Sequence, residues 1–244
     1  MMPTFTDPVL DGRVAVVTGG GSGIGRALAR ALAERGASVW INGRREEPLA
    51  ETASANPSRI RWLRGDVTEA SGCGPLVEAI GREFGALHLL VNNAAILGPV
   101  ARLEHCSPEA FDDVMKVNVS GLYRMTYALL PLLRAGAPGA SIINLSSGVG
   151  RRGRGTWGAY AASKFAVEGL TQVWADEFRG EGIAVNAVNP GGTATAMRAA
   201  AVPDEDPSTL PSPGDVVPSF LYLLSPEALA QGLSGVSIDS RDFQ

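Results

Sequence analysis

Cysteine and histidine are both scarce in this sequence. Its 244 residues include two cysteines, Cys73 and Cys106, which lie far apart and outside any CxxC pattern. The two histidines, His88 and His105, lack the spacing of a metal site. These absences argue against a disulfide framework and against a zinc centre. We therefore expect reduced thiols and no bound metal.

Long apolar runs and basic clusters are also missing. No window approaches the roughly 18 uninterrupted apolar residues of a membrane span, and the N-terminal MMPTFTDPVLDG has no basic region followed by an apolar run. We expect a cytoplasmic protein that makes no contact with a membrane. The net charge is -4, and apart from one short cluster the 21 basic residues are scattered, which argues against a nucleic-acid partner.

What the sequence does contain is a regular alternation of short apolar runs with longer segments of helical periodicity. This alternation predicts an α/β fold, a doubly wound parallel sheet of about seven strands with helices on both faces. The segments predicted as strands are 13–18, 37–42, 60–65, 87–92, 141–146, 183–189 and a weaker one near 236–238. Long helices are predicted to begin near 108 and 158, and a last helix to cover about 214–224.

One domain accounts for the whole chain. With 45% hydrophobic residues the sequence can bury a sizeable core, and no long linker or low-complexity tract divides residues 1–244. Around 191–214 the pattern loosens into a segment rich in Pro, Ala and acidic residues. Such a segment is typical of a mobile flap over a cleft, and equally of a surface loop that tolerates change.

A glycine-rich turn follows the first predicted strand. In TGGGSGIG, Gly19, Gly23 and Gly25 precede a predicted helix, with the spacing GxxxGxG rather than GxGxxG. Glycines here let the backbone approach a pyrophosphate, and the helix N-terminus offers free N–H groups. A merely flexible turn is the alternative, but it is less expected directly between a first strand and a first helix.

The end of the second predicted strand bears on which dinucleotide would bind. An acidic residue there favours NAD, whereas an arginine accommodates the extra phosphate of NADP. The sequence reads Asn42, Gly43, Arg44, Arg45, without a carboxylate at the strand end. Glu46 and Glu47 follow, but they are better explained as favouring the first turn of the next helix. We therefore favour NADP(H) over NAD(H).

Tyr160 precedes Lys164 by four residues in GAYAASK, within a predicted helix. Positions i and i+4 share a helix face, so the lysine charge is expected to favour the phenolate and lower the tyrosine pKa from about 10. That would make the phenol a usable acid or base. Taken alone, the pair is more typical of a solvated helix face than of a catalytic site.

These motifs, in this order, resemble the short-chain dehydrogenase/reductase family over nearly the whole chain. TGGGSGIG is similar to TGxxxGIG, GDVT to the adenine-contacting turn and NNAA to NNAG, while KVNVSG, INLSSGVG and NPGGTAT resemble further family motifs. The resemblance implies a Rossmann-like fold and a catalytic tetrad of Asn118, Ser147, Tyr160 and Lys164. The cofactor-binding residues predicted from the motifs and the resemblance are Gly19, Ser22, Gly23, Ile24, Gly25, Arg44, Arg45, Asp66, Val67, Asn93, Tyr160, Lys164, Pro190, Gly191, Thr193 and Thr195.

The resemblance also implies a reaction, hydride transfer between NADP(H) and a small carbonyl or secondary alcohol. Tyr160 would give or take the proton, with Lys164 lowering its pKa and hydrogen-bonding the nicotinamide ribose. Ser147, thirteen residues before Tyr160, would hold the substrate oxygen, a role for which Ser146 is the rival. Asn118 would anchor a water chain. Residues 191–214 would form a substrate loop.

Two segments depart from the commoner family pattern. The tail LSGVSIDSRDFQ lacks the usual VDGG-like ending, which in this family often lies at a subunit interface. A homodimer or homotetramer is expected through the long helices that begin near 108 and 158. The loop GRRGRGTWGAY holds Arg151, Arg152, Arg154 and Trp157, which indicate either a rim for an anionic or acyl-carrier-linked substrate or solvated arginines.

Three alternatives to a carbonyl reductase or alcohol dehydrogenase are considered. The arginine loop would favour a 3-oxoacyl-thioester reductase. A non-catalytic dinucleotide-sensing protein could share the fold, although it would need neither Tyr160 nor Lys164. Sugar epimerases and dehydratases also use YxxxK, but the enzymes of that type are longer than this chain, which disfavours this alternative.

Overall fold

The computed structural model describes residues 4–243 and contains one seven-stranded sheet in which every strand pair is parallel. The strand order is β3-β2-β1-β4-β5-β6-β7. This confirms the predicted doubly wound, Rossmann-like α/β fold. The strands are β1 (Val14–Thr18), β2 (Ser38–Gly43), β3 (Ile60–Arg64), β4 (Leu89–Asn92), β5 (Ala140–Leu145), β6 (Ile183–Asn189) and β7 (Ser237–Asp239).

Helices connect successive strands, as parallel pairing requires. Several begin at a serine or threonine whose side-chain oxygen accepts a hydrogen bond from the first turn; Ser107 and Ser225 do so directly before a proline. The helices are α1 (Gly23–Glu34), α2 (Glu46–Ser54), α3 (Ala70–Glu83), α4 (Pro108–Met115), α5 (Leu122–Gly136), α6 (Gly158–Glu177), α7 (Ala196–Ala201), α8 (Val217–Tyr222) and α9 (Pro226–Ala230).

Two hydrophobic cores lie on opposite faces of the sheet. Helices α1, α2 and α8 cover one face, where Leu28 and Phe220 are fully buried. Helices α3, α5 and α6 cover the other, where Leu76 and Met125 are fully buried. Burial on both faces explains why the strands read as continuous apolar runs rather than as alternating patterns.

The helix predicted to begin near 108 is interrupted. A π-helical stretch, Lys116–Gly121, separates α4 from α5 and contains Asn118. A β-carbon on Gly121 would lie 2.6 Å from Cγ2 of Val67, so the chain passes close to the loop after β3 at this point. Inserted π-turns of this kind occur frequently at functional sites, and apolar periodicity alone does not reveal them.

The last predicted helix is shorter than expected, and another helix follows it. Within the predicted range of about 214–224, α8 covers Val217–Tyr222. Beyond that range α9 begins at Pro226, where Ser225 caps a new N-terminus. The final strand lies at Ser237–Asp239, close to its predicted position. Within residues 4–243, no helix is both long and apolar enough to cross a bilayer.

Candidate active site

A cleft of about 620 Å³ opens at the carboxyl ends of the central strands. It lies beside β1, whose two neighbours in the sheet are β2 and β4. At this switch point the connections leave in opposite directions, and open α/β sheets bind ligands there. The cleft is lined by twelve of the predicted cofactor residues, namely Gly19, Ser22, Gly23, Ile24, Arg44, Arg45, Asp66, Val67, Asn93, Tyr160, Lys164 and Thr195.

The glycine turn is closely packed. Gly19 has φ +67°, a left-handed conformation that glycine adopts readily. Gly25 was predicted to bind cofactor, but it lies behind the turn instead of lining the cleft. A β-carbon on Gly25 would lie 2.4 Å from the Gly19 oxygen and 2.5 Å from Nδ2 of Asn93. The role that the structure gives Gly25 is therefore to let α1 approach the turn.

Asn93 joins this turn to the end of β4. Its Nδ2 donates to the main-chain oxygens of Thr18, at 2.8 Å, and Gly19, at 3.2 Å. Its own N–H donates to Oγ1 of Thr18 at 3.0 Å. The floor of the cleft is thus fixed by side-chain hydrogen bonds between two strand ends.

Arg44 and Asp66 stand near each other at the far end of the cleft. Burial alone would raise the pKa of Asp66, but hydrogen bonds from Thr68 and the charges of Arg44 and Lys116 hold it below its ordinary value. Arg44 is exposed and has no ion-pair partner within the described part of the chain. Its guanidinium is therefore available to a ligand phosphate.

Tyr160 and Lys164 lie one turn apart on α6 and are both buried. Nζ of Lys164 donates to the main-chain oxygen of Leu145 at 2.6 Å and lies 5.5 Å from the centroid of the Tyr160 ring. Burial lowers the pKa of Lys164 to about 8, with the charge of Glu168 opposing the shift.

The expected lowering of the tyrosine pKa is wrong for this structure. Burial raises the pKa of Tyr160 to about 12, and the opposing influence is a hydrogen bond with Ser147. The reason is desolvation, because a buried phenolate loses more hydration than one neighbouring hydrogen bond returns. In this structure the phenol holds its proton.

The two adjacent serines have different surroundings. Ser147 lies close enough to Tyr160 to oppose the rise in its pKa, and it lines the neighbouring pocket described below. Oγ of Ser146 instead donates to Oε1 of Glu168 at 2.5 Å, and the residue is buried. The geometry therefore favours Ser147 over its rival for contact with a substrate oxygen.

The side chain of Asn118 is fully engaged. Its Oδ1 accepts from the N–H of Ile96 at 2.8 Å, while Nδ2 donates to the Ile96 oxygen at 2.9 Å and to Oγ of Ser163 at 3.0 Å. Asn118 thus attaches the π-helical stretch to the segment after β4. Its amide hydrogens are both used within the protein, so the side chain has no free donor for a water.

A second pocket, of about 270 Å³, adjoins the cleft. Three predicted cofactor residues, Pro190, Gly191 and Thr193, line this pocket rather than the cleft. Tyr160 lines both cavities. Much of the apolar wall of this pocket carries no sequence motif and was not predicted; it includes Leu97, Val149, Met197 and Ala201.

The arginine loop divides into two parts. Arg154 lies over the Trp157 ring, 5.5 Å from its centroid, and both line the second pocket. Arg151 points elsewhere and pairs with Asp239 at 2.5 Å. Arg152 is exposed and lines neither cavity. Arg198, in the wall of the second pocket, pairs with Glu205 at 2.5 Å.

Four further residues that line the cleft were not predicted, because their small or apolar side chains do not indicate any chemistry. They are Gly21, Ala94, Ala95 and Ile96. Asn42 had a detectable signal, a polar residue ending an apolar strand. It is completely buried, and its Nδ2 lies 3.4 Å from the main-chain oxygens of Leu63 and Gly72.

Among residues 4–243, no cluster of three or more His, Cys, Asp or Glu could hold a metal ion.

Comparisons with known proteins identify related chains. The family model described as short chain dehydrogenase matches residues 13–206. The chain is 41% identical to the uncharacterized oxidoreductase YciK of Escherichia coli (strain K12), covering 96% of this chain and 93% of that protein. It is 35% identical to cis-4-hydroxycyclohexanecarboxylate dehydrogenase of Sinomonas cyclohexanicum, covering 95% and 91%.

A solved structure agrees over the same length. A short chain dehydrogenase from Shigella flexneri 2a str. 301, crystallised with NADP, superposes with a TM-score of 0.91 at 39% identity, covering 97% of this chain and 100% of that one. Sequence and structure thus match across nearly the entire chain. The protein belongs to the short-chain dehydrogenase family.

Proposed function

We propose that this protein is an NADP(H)-dependent oxidoreductase that transfers a hydride between the nicotinamide and a small carbonyl compound or secondary alcohol. The observation that carries the proposal is the position of Tyr160, whose side chain lines both the large cleft and the second pocket. One cavity has the size and lining for a dinucleotide, and the other is suited to a small, mostly apolar substrate.

The residues present fit NADP(H). Gly21 lines the cleft and packs against Pro48, because a β-carbon added to Gly21 would lie 3.1 Å from the Pro48 side chain. With no side chain at Gly21, a ligand in the cleft can approach its backbone. The α1 N-terminus offers unpaired N–H groups to phosphate, and Arg44 offers a cation at the end of β2. The complex of the Shigella flexneri relative with NADP supports the same choice.

When bound, the nicotinamide supplies or accepts the hydride. Tyr160 is protonated at neutral pH and gives its proton to the substrate oxygen in reduction; its raised pKa makes the phenol a weaker acid than a free tyrosine. Ser147 holds that oxygen through its hydroxyl. Lys164 places a buried cation one helical turn away and is positioned for the nicotinamide ribose. Asn118 holds the π-helical stretch against Ile96 beside the cleft.

The segment 191–214 serves as the substrate loop in this proposal. Its first part lines the second pocket through Gly191, Thr193 and Met197, and the Arg198–Glu205 ion pair ties α7 to the loop that follows. A homodimer or homotetramer formed through α5 and α6 is also proposed, supported by the exposed Tyr127 and Phe165 on those helices.

A titration tests the cofactor assignment. Purified protein is titrated with NADPH and with NADH, following nicotinamide fluorescence, and is then assayed for loss of NADPH absorbance with a panel of ketones and aldehydes. We expect tighter binding of NADPH and turnover of at least one carbonyl compound. Binding of neither dinucleotide contradicts the proposal, and tight binding without turnover of any panel member supports the dinucleotide-sensing alternative.

A second candidate is a 3-oxoacyl-thioester reductase. The position of Arg154 on Trp157 at the second pocket favours it, because a guanidinium there can contact an anionic acyl carrier. Including a 3-oxoacyl thioester in the panel separates the two candidates. A kcat/KM for the thioester well above that of every simple ketone would favour this second activity.

A further inference from the structure

Glu168 lies one helical turn beyond Lys164, on the same face of α6. It is a buried carboxylate, only 7% exposed, and it lies outside both cavities. Its Oε1 accepts hydrogen bonds from Oγ of Ser146 at 2.5 Å and from Oγ of Ser237 at 2.8 Å. A buried charge needs such partners, so the surrounding structure is built to hold this carboxylate.

The two segments that depart from the common family pattern meet at this carboxylate. Nε of Arg151, from the arginine loop, lies 3.9 Å from Oε1 of Glu168. The same arginine pairs with Asp239 of the C-terminal tail, and Ser237 belongs to that tail. Asp239 also accepts a hydrogen bond from Asn189 at the end of β6. Loop and tail thus form one network around Glu168.

The titratable and charged groups around Lys164 and the network of Glu168 come from three parts of the chain. Helix α6 contributes the carboxylate of Glu168 and the titratable phenol of Tyr160, which is neutral. The segment after β5 contributes Arg151, and β7 with the turn that follows contributes Asp239 and Arg241, which lie 3.8 Å apart. Among these groups Glu168 is the one whose charge opposes the fall that burial causes in the pKa of Lys164.

We propose that Glu168 is a positioning residue that keeps the buried Lys164 in its charged form, and that Ser237 and Arg151 hold the carboxylate in place for this purpose. An ammonium of this kind would otherwise lose its proton on burial. The unusual tail and arginine loop then have a role distinct from substrate binding. The electrostatic effect of Glu168 on Lys164 is independent of the proposed function, whereas its effect on turnover rests on that function.

The sequence offers a direct way to measure this link. The chain contains two lysines, Lys116 and Lys164. Protein grown with lysine isotope-labelled at the ε-carbon therefore gives two side-chain NMR signals, whose positions report protonation. Lys116 is an internal reference, because its side chain is 55% exposed and lies 3.7 Å from Glu69, far along the chain from Glu168. Neither cofactor nor substrate is required.

The signals are titrated in the wild type, in Glu168→Gln and in the matched control Glu177→Gln, which removes an exposed carboxylate from the end of the same helix. We expect Glu168→Gln to lower the Lys164 midpoint by about one pH unit, since loss of a neighbouring opposite charge has an effect of this order. Lys116 should not move, and Glu177→Gln should match the wild type. An unchanged Lys164 midpoint in Glu168→Gln overturns the proposal.

Glu168→Asp covers the case in which the glutamine variant does not fold, because it keeps the charge on a shorter side chain. Its Lys164 midpoint should lie nearer to that of the wild type than the midpoint of Glu168→Ala, which removes the charge with a small apolar side chain; the reverse order overturns the proposal. If turnover is found, the alkaline limb of the kcat profile of Glu168→Gln should shift to lower pH. A purely structural role would lower kcat equally at every pH. Absence of turnover would count against the proposed function and leave the NMR result intact.

Discussion

Lys164 is held by the sheet rather than by Tyr160. Its ammonium nitrogen donates to the main-chain oxygen of Leu145, the last residue of β5, at 2.6 Å, while the centroid of the Tyr160 ring is 5.5 Å away. The end of a strand thus fixes the lysine, and the lysine's helix positions the phenol between the two cavities. Both side chains are buried, so protonation of either depends strongly on the local environment.

Replacing Tyr160 by phenylalanine tests the proton transfer. General acid catalysis contributes roughly 10²–10⁴-fold, so kcat should fall by about that factor. The NADPH dissociation constant should stay within about twofold of the wild type, because the ring and its packing on Trp157 are retained. Tyr127→Phe, on an exposed residue, is the control. A kcat for Tyr160→Phe within tenfold of the wild type would remove the proposed role of the phenol.

The buried lysine should also affect stability. Burial lowers the Lys164 pKa from 10.5 to about 8, so between these values the unfolded chain binds more protons than the folded one. The free energy of unfolding should therefore rise with pH across this window, by up to about 1.4 kcal/mol per pH unit from this one group. Below this window Lys164 is charged in both the folded and the unfolded state, and the full cost of burying the charge remains. Above the window Lys164 is neutral in both states, and that cost disappears.

Urea unfolding of the wild type and of Lys164→Met, from about pH 7 to about pH 10, measures this effect. The other titrating groups contribute similarly to both proteins, so the difference between the two curves isolates the lysine. The free energy of unfolding of the wild type should increase relative to that of Lys164→Met as pH rises. Parallel curves would show that the lysine is better solvated than its burial indicates.

Arg44→Ala should discriminate between the two dinucleotides. Removing a charged hydrogen-bond donor costs about 1.5–3 kcal/mol, so NADPH binding should weaken by roughly 10–100-fold while NADH binding changes little. Arg64→Ala serves as the matched control, since Arg64 ends the neighbouring strand, is exposed and does not line the cleft. Titrations of both variants with both dinucleotides give the comparison. Equal losses for NADPH and NADH in Arg44→Ala would contradict the assignment.

Local patterns made the fold and much of the site predictable. Each predicted strand is a short, apolar run bounded by polar or glycine residues, because both faces of the sheet are buried, and the observed strands lie within two residues of the predicted limits. The cleft residues follow strand ends, which a parallel sheet collects at one edge. Their approximate location therefore follows once the strands are placed.

What the sequence could not indicate depends on contacts between distant segments. Glu168 and Ser237 are separated by 69 residues, and nothing near either one signals the contact. The raised pKa of Tyr160 results from burial on all sides, which the spacing of Tyr160 and Lys164 does not report. The π-helical stretch differs from an ordinary helix by a change in hydrogen-bonding that leaves the apolar pattern almost unchanged.

Gly25→Ala should disturb the glycine turn. The new methyl group would lie 2.4 Å from the Gly19 oxygen, which is main chain and cannot move aside without shifting the turn. We expect a loss of about 1–3 kcal/mol in unfolding free energy, as for other overpacked sites, together with weaker NADPH binding. Gly169→Ala is the control. It lies in α6 with no atom within 4 Å of the added carbon, and should stabilise by about 0.5–1 kcal/mol.

Chemical denaturation measures the first effect and the NADPH titration the second. If Gly25→Ala keeps wild-type stability and affinity, α1 can move away from the turn, and close packing there is not a requirement of the site.

Arg154 should determine whether the second pocket prefers a negatively charged substrate over a neutral one. Its guanidinium is held over Trp157 at the pocket, where a negative substrate group could pair with it, whereas Arg152 is exposed and lines neither cavity. For a carbonyl substrate bearing a carboxylate or phosphate, Arg154→Ala should lower kcat/KM by roughly 10–100-fold, mainly through KM. A neutral ketone of similar size should lose less than about threefold, and Arg152→Ala should change neither value appreciably. Paired assays of both substrates with both variants decide the matter. Equal losses for charged and neutral substrates in Arg154→Ala would mean that the arginine supports Trp157 and the pocket wall, and does not select for charge.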